Sequence, residues 1–124
     1  MRVVYDHCMK PQICDQRAGK EVFSQWAAGM SCLANETSGC CKFSGIVTEA
    51  GEGWTIDDLR PFAEHVLGTF GAKRVMWGSD WPVSRLQTEY CDWHDIAQGL
   101  TQSLSEPDRA EIFGGTAARF YRIS

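Results

Sequence analysis

Three short apolar runs, each ending in polar residues, set the architecture open to this chain. They begin near residues 2, 41 and 74, at intervals of 39 and 33 residues. Such intervals are the length of a strand plus a crossover helix, which returns the chain parallel to the strand before it. The runs are nearly continuous in apolar residues rather than alternating, as expected for a sheet covered on both faces. Between them the sequence changes to helical periodicity. Val22, Phe23, Trp26, Met30 and Leu33 recur at helical spacing over about 20–34, and Phe62, Val66, Leu67 and Phe70 do so before Gly71.

Local signals divide the rest of the chain. The second strand is expected over Cys41-Lys42-Phe43-Ser44-Gly45-Ile46-Val47, followed by a loop from Glu49 to Gly53. Either Thr55 or Asp58 can cap the helix that follows; with Asp58, Pro61 falls in the first turn, where its missing N–H costs little. The third strand is expected over 74–79 and a further helix over about 89–104. Ser105 with Asp108 reads as a cap for a short helix ending at Phe113. Gly114-Gly115 is expected to interrupt before a last helical turn capped by Thr116.

The 124 residues make one domain at most, 1–124, with 44% hydrophobic and 23% charged residues and a net charge of −4. The 12 Lys and Arg are scattered, so no basic nucleic-acid face is expected. No apolar run approaches the roughly 20 residues of a membrane span. The first residues read as a strand rather than a signal peptide, which points to a cytoplasmic protein with reduced thiols. The six cysteines contain no Cys-x-x-Cys pair and fit no zinc ribbon.

Chemistry gathers where the strands end. Val3-Val4-Tyr5 runs into Asp6-His7, the second strand carries Ser44 near its end, and Val75-Met76-Trp77 stops at Gly78-Ser79-Asp80-Trp81-Pro82. A carboxylate at the end of a buried strand is held rigidly below an open pocket, which makes Asp80 the first candidate. Lys42 and Ser44 share one parity, so both face the pocket or both face a helix. Trp81 suits the wall of a sugar-sized pocket or packing over the strand end. Lys10 approaches a substrate carboxylate or points to water. Asp92-Trp93-His94-Asp95 is assigned to a solvated helical face, because adjacent helical residues diverge. His65 is placed on the outer side of its helix.

Taken in order, Asp6-His7 with Lys10-Pro11, Cys41-Lys42-Phe43-Ser44-Gly45, Gly78-Ser79-Asp80-Trp81-Pro82-Val83 and Ile112-Phe113-Gly114-Gly115-Thr116-Ala117-Ala118-Arg119-Phe120-Tyr121 resemble the C-terminal part of the amidohydrolase-related (amidohydrolase 2) family. The branch it is most similar to is the sugar-lactone hydrolases, fuconolactonase-like and pyrone-dicarboxylate-lactonase-like proteins. The resemblance implies an α/β fold: about three βα units, strands six to eight, of a TIM-like (β/α)8 barrel with parallel strands.

It also implies catalytic roles for His7 and Asp80 and a small-molecule lactone or sugar acid as substrate, beside which Lys42 and Trp81 are the candidate substrate contacts. Family members differ in whether they use a metal, so the intact enzyme is expected to hold either a divalent ion, zinc for example, with His7 and Asp80 among its ligands, or none. Family members carry a His-x-His on the first strand. This chain has only His7, His65 and His94, so it reads as a C-terminal fragment, expected to be inactive alone and to self-associate through open strand edges. A decarboxylase on the same scaffold and a non-catalytic barrel remnant are the alternatives.

Overall fold

The computed structural model describes residues 3–79 and 90–122. Three strands, β1 (Val4–Tyr5), β2 (Cys40–Phe43) and β3 (Val75–Trp77), form one parallel sheet in the order β1-β2-β3. Val4 pairs with Cys40 and Tyr5 with Cys41; Cys41, Lys42 and Phe43 pair with Val75, Met76 and Trp77. Helix α1 (Ile13–Arg17) and α2 (Phe23–Glu36) lead from β1 to β2. Helices α3 (Ile46–Ala50) and α4 (Ile56–Phe70) lead from β2 to β3, and α5 (Tyr90–Leu100), α6 (Glu106–Ala110) and α7 (Thr116–Phe120) follow.

The register decides which face each strand residue takes, since paired residues in a parallel sheet share a side. Tyr5 meets Phe70 at a ring separation of 6.1 Å, Phe43 meets Trp93 at 5.4 Å and Trp77 meets Phe113 at 5.9 Å. Tyr5, Cys41, Phe43, Val75 and Trp77 therefore form the helix-facing side. Val4, Cys40, Lys42 and Met76 take the opposite face, which settles the parity question for Lys42 and Ser44 in favour of the side away from the helices.

The core is sealed by α2, α4 and α5 against that helix-facing side, with Met30, Phe43, Leu59, Phe62, Val66, Val75 and Trp93 almost fully buried. Two arginines close the loops around it. Arg17 donates to the carbonyls of Ala50, Glu52 and Gly53 and pairs with Asp58 at 3.1 Å. Arg74 donates to the carbonyls of Ala34, Thr37 and Gly39 just before β2.

Several expectations are corrected. Ile46 and Val47 do not extend the second strand: Gly45 turns left-handed at φ 73° and both residues enter α3, which also takes Glu49 and Ala50 from the expected loop. Of the two cap candidates left open, Thr55 is the one that caps α4, in a reciprocal capping box with Asp58. Pro61 consequently lies inside the helix, beyond the first turn. Gly114-Gly115 does not interrupt: a π-helical turn over Glu111–Gly115 joins α6 to α7 with helical dihedrals throughout. Thr116, instead of capping, is buried and donates to the Ala72 carbonyl at 2.7 Å.

One reading of a helical residue also changes, while Trp93 takes the core-packing role that suffices for it. His65 lies between α2 and α4, donating from Nε2 to the Ala27 carbonyl at 2.9 Å. The Ser105–Asp108 cap and the Gly71 stop are as expected.

Candidate active site

The strand ends bring four polar side chains together on the face away from the helices. His7 follows β1, and its Nδ1 lies 2.8 Å from the hydroxyl of Ser44, the residue after β2. Its Nε2 lies 3.6 Å from the Asp6 carboxylate, and Lys42 Nζ reaches the same carboxylate at 4.0 Å. The third strand contributes closeness rather than charge. A Cβ on Gly78 would lie 2.8 Å from Lys42 Cε and 3.3 Å from Ser44 Cβ, so the β3 exit passes close beside these side chains.

The backbone is unusual where it presents His7. His7, Cys8, Met9 and Lys10 all have positive φ, between 50° and 58°. Four successive non-glycine residues in the left-handed region cost roughly 1–2 kcal/mol each. The turn is pinned from beneath. Cys8 is buried, its thiol donates to the Lys42 carbonyl at 3.4 Å, and its own carbonyl accepts from Trp26 Nε1 at 2.9 Å. A hydrogen bond to Cys8 and burial push the Cys41 thiol strongly upward from its ordinary range, so it stays protonated. No described cysteine is oxidised: Cys8, Cys14, Cys32, Cys40 and Cys41 are free thiols.

Of the sequence-derived site residues, the structure brings His7 and Lys42 together and adds Asp6 and Ser44 as their direct partners. Asp80 and Trp81 lie outside the described residues. The chain arrives at them from Gly78, whose N–H bonds the Phe43 carbonyl at 3.1 Å and whose carbonyl accepts from Trp93 Nε1 at 2.8 Å. Trp93 thus anchors the β3 exit two residues before Asp80, a role its sequence position did not signal. Lys10 is exposed. Asp92 and Asp95 are exposed, and His94 stacks edge-on against Trp77 at 5.2 Å.

These groups fall short of a site for a divalent metal. Among the described residues no three His, Cys, Asp or Glu side chains gather around one point. Only Asp6 and His7 stand close enough to share an ion, and His7 has one ring nitrogen engaged by Ser44. Catalytic zinc is usually held by about three protein ligands, so the described donor set does not fit a metal ion.

A family model described as amidohydrolase matches residues 1–123. The chain belongs to this family. It is 40% identical over 127 residues to an L-fucono-1,5-lactonase of Burkholderia ambifaria, covering 99% of this chain and 42% of that protein. A solved Burkholderia multivorans amidohydrolase with bound HEPES superposes with a TM-score of 0.89 at 34% identity, over 98% of this chain and 44% of that one. The same protein solved with bound zinc gives 0.87. The chain therefore spans less than half the length of the relatives it matches. Its three parallel βα units are part of the TIM-like barrel of amidohydrolases, in which strand C-terminal ends carry the chemistry.

Proposed function

We propose that this chain supplies one side of a lactone-hydrolysing site, acting on a sugar-acid lactone of the kind named for its Burkholderia ambifaria relative. The observation that carries the proposal is the convergence of Asp6, His7, Lys42 and Ser44 on the sheet face away from the helices, directly beside the Gly78 exit that leads to Asp80. In this mechanism the Asp80 carboxylate takes a proton from water as the water oxygen attacks the lactone carbonyl carbon. The imidazole of His7 donates a hydrogen bond to the carbonyl oxygen as it becomes an oxyanion. The ring C–O bond then breaks, and the proton passes from Asp80 to the departing alkoxide, giving the open hydroxy acid. Lys42, held beside Asp6, orients the polar substituents of the ring, and Trp81 forms a wall.

Turnover on this reading needs the remaining barrel units, so residues 1–124 alone are inactive and self-associate through the outer edges of β1 and β3. The test is a chimera in which this chain replaces the matching segment of the Burkholderia ambifaria lactonase. It should release acid from L-fucono-1,5-lactone, and Asp80→Asn should lower the rate by about 10²–10⁴-fold. Full activity in Asp80→Asn, or release of carbon dioxide from a carboxylic substrate in place of lactone opening, would overturn the assignment.

A further inference from the structure

We propose that Ser44 is a positioning residue that holds His7 with its ring proton on Nε2, so that the imidazole serves as a hydrogen-bond donor. This deepens the reading of the strand-end face as the active site and rests on it.

Ser44 is completely buried, at 0% exposure, at the end of β2. A hydroxyl shut away from water must place its hydrogen on a protein acceptor, and the one recorded for Ser44 Oγ is His7 Nδ1, at 2.8 Å. Donating that hydrogen requires a lone pair on Nδ1, which leaves the proton of the neutral ring on Nε2. The charge facing the other end of the ring favours the same tautomer. Nε2 lies 3.6 Å from the Asp6 carboxylate, and an ionised carboxylate only accepts. The Ser44 hydrogen bond thus sets the protonation pattern, and the nearby Asp6 charge acts in the same direction.

The ring is also walled in. Gly45 at φ 73° comes so near that a Cβ there would lie 2.8 Å from Nδ1 and 2.9 Å from Cγ. The backbone of Gly45 therefore lies against the edge of the imidazole that carries Nδ1. A ring fixed in this way offers N–H, not a lone pair, at Nε2. That suits polarisation of a carbonyl and agrees with the poor fit of the described donors to a metal ion.

The readout is the nitrogen spectrum of the histidine rings in the ¹⁵N-labelled chain, recorded at about pH 8, above the ordinary histidine range. The chain has three histidines, and His7→Gln identifies the signals of His7 by deletion. The expected pattern is a pyridine-type shift at Nδ1 and a pyrrole-type shift at Nε2. Ser44→Ala should collapse it towards the average of two tautomers, and Ser44→Thr should restore it. A pyrrole-type Nδ1 in the native chain, or an unchanged pattern in Ser44→Ala, overturns the inference. The native spectrum alone decides the tautomer should Ser44→Ala fail to fold.

In the lactonase chimera, Ser44→Ala should lower kcat about tenfold with KM little changed, equivalent to roughly 1.4 kcal/mol of transition-state stabilisation. A chimera without lactonase activity but with the native nitrogen pattern would sink the substrate assignment and leave this inference standing. Normal hydrolysis with the opposite tautomer would do the reverse.

Discussion

The exits from β1 and β2 solve one geometric problem by opposite means. Both must swing the backbone into the left-handed region to aim a polar side chain across the sheet end. After β2 the turn uses Gly45, where φ 73° meets no Cβ penalty. After β1 four side-chain-bearing residues, His7 to Lys10, adopt φ of 50–58° with no glycine among them. The glycine exit is relaxed and passive, and its value lies in letting His7 approach. The other exit is strained, and it persists because buried Cys8, the Trp26 hydrogen bond and the Ser44 hydroxyl over-determine it. Strain concentrated where the imidazole is presented is what a functional turn shows.

The largest expected effect comes from removing the relaxed exit. Gly45→Ala adds a left-handed penalty and a Cβ 2.8 Å from the imidazole. Urea unfolding should show a loss of about 2–4 kcal/mol. A loss under about 1 kcal/mol would mean that the ring is not held against Gly45. Next is the pin beneath the strained exit. Trp26→Phe keeps the ring packing but deprives the Cys8 carbonyl of its donor, for an expected loss of about 1–2 kcal/mol. A neutral result would show that the turn holds its shape without that bond.

These contrasts also mark how far the sequence could be read. The parallel three-strand sheet and the helical faces followed from apolar spacing, and polar residues at the strand ends marked His7 and Lys42 as candidates while leaving open which face Lys42 takes. The left-handed run did not follow, because Cys, Met and Lys carry no local preference for positive φ and the mild one of His does not extend to its neighbours; the turn is imposed by tertiary contacts. Ile46 and Val47 read as strand because they are β-branched, yet Gly45 in the left-handed conformation ends the strand ahead of them and helix packing buries both. Gly114-Gly115 read as a break because glycine disfavours helix, but a π turn accommodates both. Trp93 carried no functional signal, since its value is one N–H aimed at a carbonyl 15 residues away in sequence.

The thiols below the strained exit give a smaller, pH-dependent test. Cys41 is held protonated in the folded chain by its hydrogen bond to Cys8 and by burial, whereas the unfolded thiol ionises near its ordinary value of 9.0. A pKa raised by folding means stability that is whole below the unfolded value and drains away as pH rises above it. Native stability should therefore fall by up to about 1.4 kcal/mol per pH unit above about pH 9, and Cys41→Ala should lack that slope. Parallel pH profiles for the two proteins would mean that the thiol beneath the turn reaches water.

The smallest expected effect is the most discriminating between the two exits. Met9 is 51% exposed and sits at φ 58°, so its side chain contributes little burial while its backbone pays the left-handed cost. Met9→Gly removes that cost, roughly 1–2 kcal/mol, and adds about 0.5–1 kcal/mol of chain entropy to the unfolded state, along with some lost apolar contact. The opposing contributions should leave the variant within about 0.5 kcal/mol of the native chain, or slightly more stable. At an unstrained position the same replacement costs about 1 kcal/mol. A loss of that size at Met9 would show that the turn after β1 is relaxed in solution, and the difference between the two exits would disappear.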